Sequence, residues 1–218
     1  MDENMDERKE RAVRILDRLE EEHPDARIYL DYETPLQLLV ATILAAQCTD
    51  EKVNEVTPEL FERFPAAEDL AEADEEEIQQ IVRPTGTFRR KTASVQRACR
   101  TIVEEYGGEV PRDIEALTDI KGVGRKTASV VVGNAFGQEA VFVDTHVKRV
   151  ADRLGLTERK TRDAAERELR EVLPEDRWTR ASQLLTTHGR RVCTAKDPAH
   201  EECVVSDLCR FYLEEVQD

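Results

Sequence analysis

A lysine two residues beyond a G-V-G turn is the first place to look for chemistry. The stretch LTDIKGVGRKTASVVVGNAFGQEAVFVDTHVKRV, Leu117 to Val150, reads as helix, turn, helix. Gly122 and Gly124 permit a tight turn with the backbone close to a ligand. Ile120 and Val123 would pin that turn to the core. The turn feeds a helix N-terminus, whose N–H groups and dipole favour an anion, and a phosphate diester fits there. Lys126 stands in the first turn of that helix, a poor place for a cation. With Arg125 and Lys121 nearby, its pKa is expected to fall and its free amine to become a nucleophile suited to Schiff-base chemistry. Asp144 follows eighteen residues later at the start of the next helix. Its carboxylate can take a proton or stabilise a developing cation. The bland readings are an ordinary turn between helices and an exposed helix lysine.

A second constellation lies in CTAKDPAHEECVVSDLC, residues 193 to 209. Cys193, Cys203 and Cys209 alone are one ligand short of a tetrahedral or cubane site. With His200 the spacing is C-x6-H-x2-C-x5-C, which supplies four ligands. Thiols crowded in one loop read as metal ligands before disulfides. Cys48 and Cys99 stand apart and read as buried thiols.

The elements that must position these groups are helical. The chain has 218 residues, enough for one large domain or two small ones. Helical spacing appears over Arg11–Glu22, over LQLLVATILAAQ after Thr34-Pro35, over Arg89–Tyr106 and over Asp113–Thr118. It continues over Lys126–Phe136, Thr145–Leu154, Arg162–Leu173 and Glu175–His188. Asp74 and Glu77 form a capping-box pattern. The LQLLVATILAAQ segment is apolar almost all round and should be central. Ala140–Val143 is the best strand candidate, but it is short and has no partner of similar quality. The fold class is all-α.

Composition sets limits. Net charge is −15, which taken globally argues against nucleic acid. The charges are not evenly spread. Residues 66–80 hold seven acids and no base, while 83–102 hold six bases and no acid. Such a local patch can bind phosphate on an acidic protein, since charges beyond about 10 Å are screened at 0.1 M salt. It can equally be a solvated face. With 24 Arg against only 8 Lys, the acidic surface is of the kind carried by proteins working in high salt. No apolar run is long enough to span a bilayer, so no membrane partner is expected. The charged first ten residues do not read as a secretory signal, so the expected location is cytoplasmic.

These stretches together resemble a known family. GVGRKTASVV…VDTHVKRV is similar to the helix-hairpin-helix plus Gly/Pro…Asp signature of the DNA glycosylase superfamily. The resemblance is nearest to endonuclease III, a bifunctional glycosylase and lyase for oxidised pyrimidines, and covers essentially the whole chain. PLQLLVATILAAQCTD resembles that family's buried second helix and the turn after it, and HGRRVC…C…C resembles its iron–sulfur tail.

The resemblance implies two all-α domains flanking a DNA cleft. A six-helix barrel with the hairpin would occupy 27–138, and an iron–sulfur domain 1–26 with 139–218. It implies Lys126 as the catalytic nucleophile and Asp144 as its catalytic aspartate. The damaged nucleotide would be flipped from the duplex, the base released, and the strand cut 3′ to the site by β-elimination. Gln47 matches the glutamine that fills the hole left by the flipped base. Gly122, Val123 and Gly124 match the phosphate-binding hairpin. Thr85–Lys91 matches the intercalating loop, with Thr87 in place of the usual leucine wedge. Phe88 would take part of that role, and Arg89, Arg90 and Lys91 would meet phosphates. Lys121 replaces the usual proline and leaves the hairpin less rigid.

The family tail is C-x6-C-x2-C-x5-C around a [4Fe–4S] cluster, and His200 stands at its second cysteine. Three readings stay open: a cubane on Cys193, His200, Cys203 and Cys209; a zinc site of Cys3His type; or a three-iron or lost cluster. The implied partner is double-stranded DNA with damaged pyrimidines or abasic sites, bound by a monomer. Alternatives are a monofunctional mismatch or uracil glycosylase, or a helix-hairpin-helix module without catalysis. Lysine at 126 favours the bifunctional class.

Overall fold

The computed structural model describes residues 3–215. The described residues form twelve α-helices with short 3-10 turns and no strand. None of these helices is long and apolar enough to cross a membrane. The chain divides into two compact units, Ile28–Gln138 and Met1–Arg27 with Glu139–Asp218.

The unit 28–138 contains α2 (Pro35–Leu44), α3 (Asp50–Arg63), α4 (Ala67–Glu72), α5 (Glu75–Val82), α6 (Phe88–Tyr106), α7 (Ile114–Asp119) and α8 (Arg125–Ala135). Helix α2 is its centre. Leu36 and every residue from Leu38 to Leu44 is buried, against α3, α6 and α8. Thr34 caps it and Pro35 opens it, the arrangement that suits a residue without an N–H. Each fully buried leucine here contributes roughly 1.5–3 kcal/mol.

The helix stops at Leu44, not at Gln47 as its apolar pattern suggests, because the chain turns sharply at Gln47, whose φ is 54°. Helices α3 and α4 carry no strong sequence signal. Helix α3 is heavily charged and contains Pro58, and its inner face is only Val53, Val56, Thr57 and Leu60. Cys99 is fully buried in α6, and burial pushes its thiol up to about 12, whereas Cys48 is only half-buried, contrary to the sequence reading.

The other unit contains α1 (Met5–Glu22), α9 (Thr145–Leu154), α10 (Arg162–Val172), α11 (Trp178–Arg191) and α12 (Arg210–Glu215). Helix α1 starts at Met5, a turn and a half before the first apolar repeat, because Asn4 and Glu7 close a capping box. Ile15, Leu16 and Leu19 of α1 share a core with Val147, Val150 and Leu154 of α9, Leu169 of α10, and Leu184 and Leu185 of α11. Residues 140–143 are buried but form no strand. The amides of Ala140 and Phe142 donate to the hydroxyls of Thr179 and Ser182 on α11, at 3.1 Å each. Two side chains thus satisfy the backbone that a strand partner would otherwise take.

Candidate active site and iron–sulfur tail

The hairpin is built as its glycines require. Helix α7 ends at Asp119, and the amide of Val123 bonds the carbonyl of Ile120 at 3.0 Å to close the turn. Gly122 has φ +99°, a conformation closed to most side chains. Ile120 and Val123 are buried and anchor the turn. Gly124 opens α8 and has no side chain to cap it, so the amides at this helix start have no side-chain cap. Lys126 lies at the second position of α8 and is exposed. The hairpin therefore places an exposed amine in the first turn of α8, just beyond a helix start that no side chain caps.

Asp144 belongs to the other unit and caps α9. Its Oδ1 accepts the amide of Val147 at 2.7 Å, while the residue keeps partial exposure. One carboxylate oxygen is thus fixed by the helix it opens.

The expected wedge residues occupy two exposed turns. Gln47 and Thr87 are the only non-glycine residues with positive φ among the described residues, at 54° and 40°. Both are exposed; Phe88 is half-buried, and the Arg89 guanidinium lies over its ring at 5.6 Å from the centroid. Arg89 and Arg90 are exposed, as phosphate contacts require.

Lys91 departs from that expectation. It is 3 % exposed, and its Nζ donates to the carbonyl of Thr85 at 2.6 Å. Burial lowers its pKa. The side chain points into the protein because α6 turns it under the Thr85–Phe88 loop, so it is not a surface phosphate contact.

In the tail, Cys193, His200, Cys203 and Cys209 all line one cavity, together with His188. No three His, Cys, Asp or Glu side chains among the described residues are grouped to hold a single metal ion. His200 lies against aromatic rings, with its centroid 5.9 Å from that of Phe211 and 5.3 Å from that of Tyr212. The Arg153 guanidinium donates to Cys193 Sγ at 3.2 Å. Burial pushes the Cys203 thiol up to about 11 and raises that of Cys209, so both are costly as bare thiolates and suit a buried electropositive centre. Three soft sulfur donors around one cavity fit an iron–sulfur group.

Sequence reasoning missed His188. It is 1 % exposed, with Nδ1 at 3.2 Å from His23 Nε2 and Nε2 at 3.5 Å from Cys203 Sγ. Its position five residues before Cys193 was the available hint. Arg191, two residues before Cys193, is paired with Asp25 at 2.7 Å.

Comparison with known proteins accords with this construction. Residues 40–175 match the HhH-GPD superfamily of base excision DNA repair proteins. Residues 193–209 match the iron–sulfur binding domain of endonuclease III. Endonuclease III of Synechocystis sp. is 50 % identical over 206 residues, covering 94 % of each chain. That of Bacillus subtilis is 42 % identical over 198 residues, 89 % of this chain and 90 % of the relative. Among solved structures, a trapped endonuclease III–DNA covalent intermediate superposes with TM-score 0.89 at 38 % identity, covering 94 % of this chain and 97 % of that one. The fold and tail thus define a helix-hairpin-helix base excision repair protein with an iron–sulfur binding domain. The chain belongs to the endonuclease III family, and is a DNA glycosylase with AP lyase activity.

Proposed function

We propose that this enzyme removes oxidised pyrimidines from duplex DNA through a Schiff base on Lys126 and cuts the strand 3′ to the lesion. The observation that carries the reading is the place of Lys126: exposed, in the first turn of α8, just beyond the Gly122–Gly124 turn. A phosphate held by the hairpin amides would set the sugar beside the amine. The similar solved structure is itself a trapped covalent intermediate with DNA, which accords with a nucleophilic amine here.

The steps follow from the chemistry. The nucleotide is flipped out, because C1′ is unreachable within the stack. The Lys126 amine attacks C1′ and the base leaves with the bonding electrons, taking up a proton. Ring opening gives the protonated Schiff base, whose positive charge acidifies the C2′ hydrogen. Loss of that proton expels the 3′ phosphate, and water then releases the enzyme. Asp144 takes the proton from the lysine and stabilises cationic charge on the sugar. Gln47 fills the vacated space, Thr87 and Phe88 part the bases, and Arg89 and Arg90 meet phosphates with Gly122, Val123 and Gly124.

In the tail, Cys193, Cys203 and Cys209 with His200 would hold a [4Fe–4S] cluster, in which histidine replaces one thiolate. Bound there, it would fix the loop 193–209 as a rigid element and take no part in bond breaking. We place the enzyme in the cytoplasm, acting as a monomer on double-stranded DNA.

The test is a duplex carrying one thymine glycol. The wild type is expected to release the base and leave a 3′ unsaturated aldehyde end, and Lys126→Gln to bind the duplex without cutting it. Cutting by Lys126→Gln at the wild-type rate would refute the assignment.

A further inference from the structure

We propose that Lys91 is a positioning residue that holds the turn bearing Thr87 rigid as a wedge for opening duplex DNA; this rests on the assignment of Thr87 to that wedge.

Two turns are strained among the described residues. Gln47 and Thr87 hold left-handed backbone that side chains of their kind rarely adopt. Such conformations persist only where the surroundings over-determine them. Lys91 supplies that determination at Thr87 from both sides. Its backbone amide bonds the carbonyl of Thr87 at 3.1 Å, and its Nζ bonds the carbonyl of Thr85 at 2.6 Å. The exposed tip, Gly86 and Thr87, is thereby held between two bonds from one residue. Thr85 is also fixed from below, its hydroxyl donating to the carbonyl of Val82 at 2.8 Å.

The location of the cation needs a reason of this kind. An ammonium is unfavourable both when buried and near a helix start, and Lys91 has both penalties. Among the described residues no carboxylate is paired with it. A methionine would fill the same space at lower cost. What the lysine adds is a charged donor directed at the Thr85 carbonyl.

The experiment compares Lys91→Met with wild type on two oligonucleotides with one abasic site, one single-stranded and one annealed to its complement. Borohydride-trapped adduct is followed over time. A single strand needs no wedge, so the ratio of duplex to single-strand rate is expected to fall at least about tenfold, the scale for small misplacements of positioning groups. An unchanged ratio, whatever the absolute rates, overturns the proposal, since a merely structural lysine would depress both rates alike. Should Lys91→Met not fold, Lys91→Gln, whose polar side chain is one bond too short to keep the Thr85 bond, is put through the same pair of substrates and judged by the same ratio. Affinity for a duplex with a tetrahydrofuran abasic analogue is measured alongside. Lack of any adduct with the wild type would remove the Schiff-base reading, and the clamp would then be judged on that affinity, which must fall in the variant.

Discussion

Asp144 accepts the amide of Val147 through Oδ1 at 2.7 Å, so the carboxylate proposed for catalysis is also the cap of α9. The cap orients the group at no further cost in side-chain entropy. It also means that two roles are joined in one residue, and that they can be separated by substitution.

Asp144→Asn keeps a capping oxygen and removes the charge. Its thermal stability should stay close to that of the wild type, with base release slowed by about 10²–10⁴-fold, the range for general acid–base groups. Asp144→Ala should lose the same activity and, in addition, roughly 1 kcal/mol of stability from the missing cap. Thermal melts and single-turnover kinetics on the same samples check both. Equal activity of Asp144→Asn and wild type would remove Asp144 from the chemistry.

The hairpin was legible because its signals are local. Gly122 needs positive φ, Ile120 and Val123 need burial, and Lys126 follows at fixed spacing. The same holds for α2, whose nearly continuous apolar run can only be central. Lys91 was not legible. A lysine beside Arg89 and Arg90 reads as part of a solvated basic patch, and only the tertiary fold puts it under the Thr85 carbonyl. Helices α3 and α4 were hidden for a related reason: their inner faces are narrow, and charge or alanine fills the rest. His188 was obscured because the sequence places it at the end of a helix, whereas the fold sets it 3.5 Å from Cys203.

The tail predicts a coloured protein. Anaerobically purified enzyme should show a broad visible band near the brown end and about four irons per chain. His200→Cys should keep the band and make it more resistant to chelator, since thiolate is the ordinary ligand of such clusters. Zinc in place of iron, or no metal, would refute the cluster assignment while leaving Lys126 and Asp144 untouched.

Acid should weaken the unit 1–27 with 139–218 through its carboxylates. The Arg191 hydrogen bond holds Asp25 at about 2, and hydrogen bonds from Arg11 and Arg180 hold Glu3 and Glu20 below the usual range. Each folded-state pKa therefore lies below its unfolded value. Between the two, the unfolded chain binds more protons, so stability rises with pH in that window. The contribution is complete above the ordinary carboxylate values of about 4. It is lost as pH falls toward 2. Urea midpoints should hold steady from pH 7 to 5 and then fall, with a shallower fall in Asp25→Asn. All three pairs are exposed or partly so, which keeps the effect of each small.

The central claim is that the Lys126 amine forms the covalent link to DNA. The direct measurement is borohydride reduction of the enzyme on a duplex with one abasic site, followed by protease digestion and mass spectrometry of the adducted peptide. The account predicts one deoxyribose-derived adduct, on Lys126, with none formed by Lys126→Gln. An adduct on Lys121, on the N-terminal amine or on any other residue, with Lys126 unmodified, would contradict it.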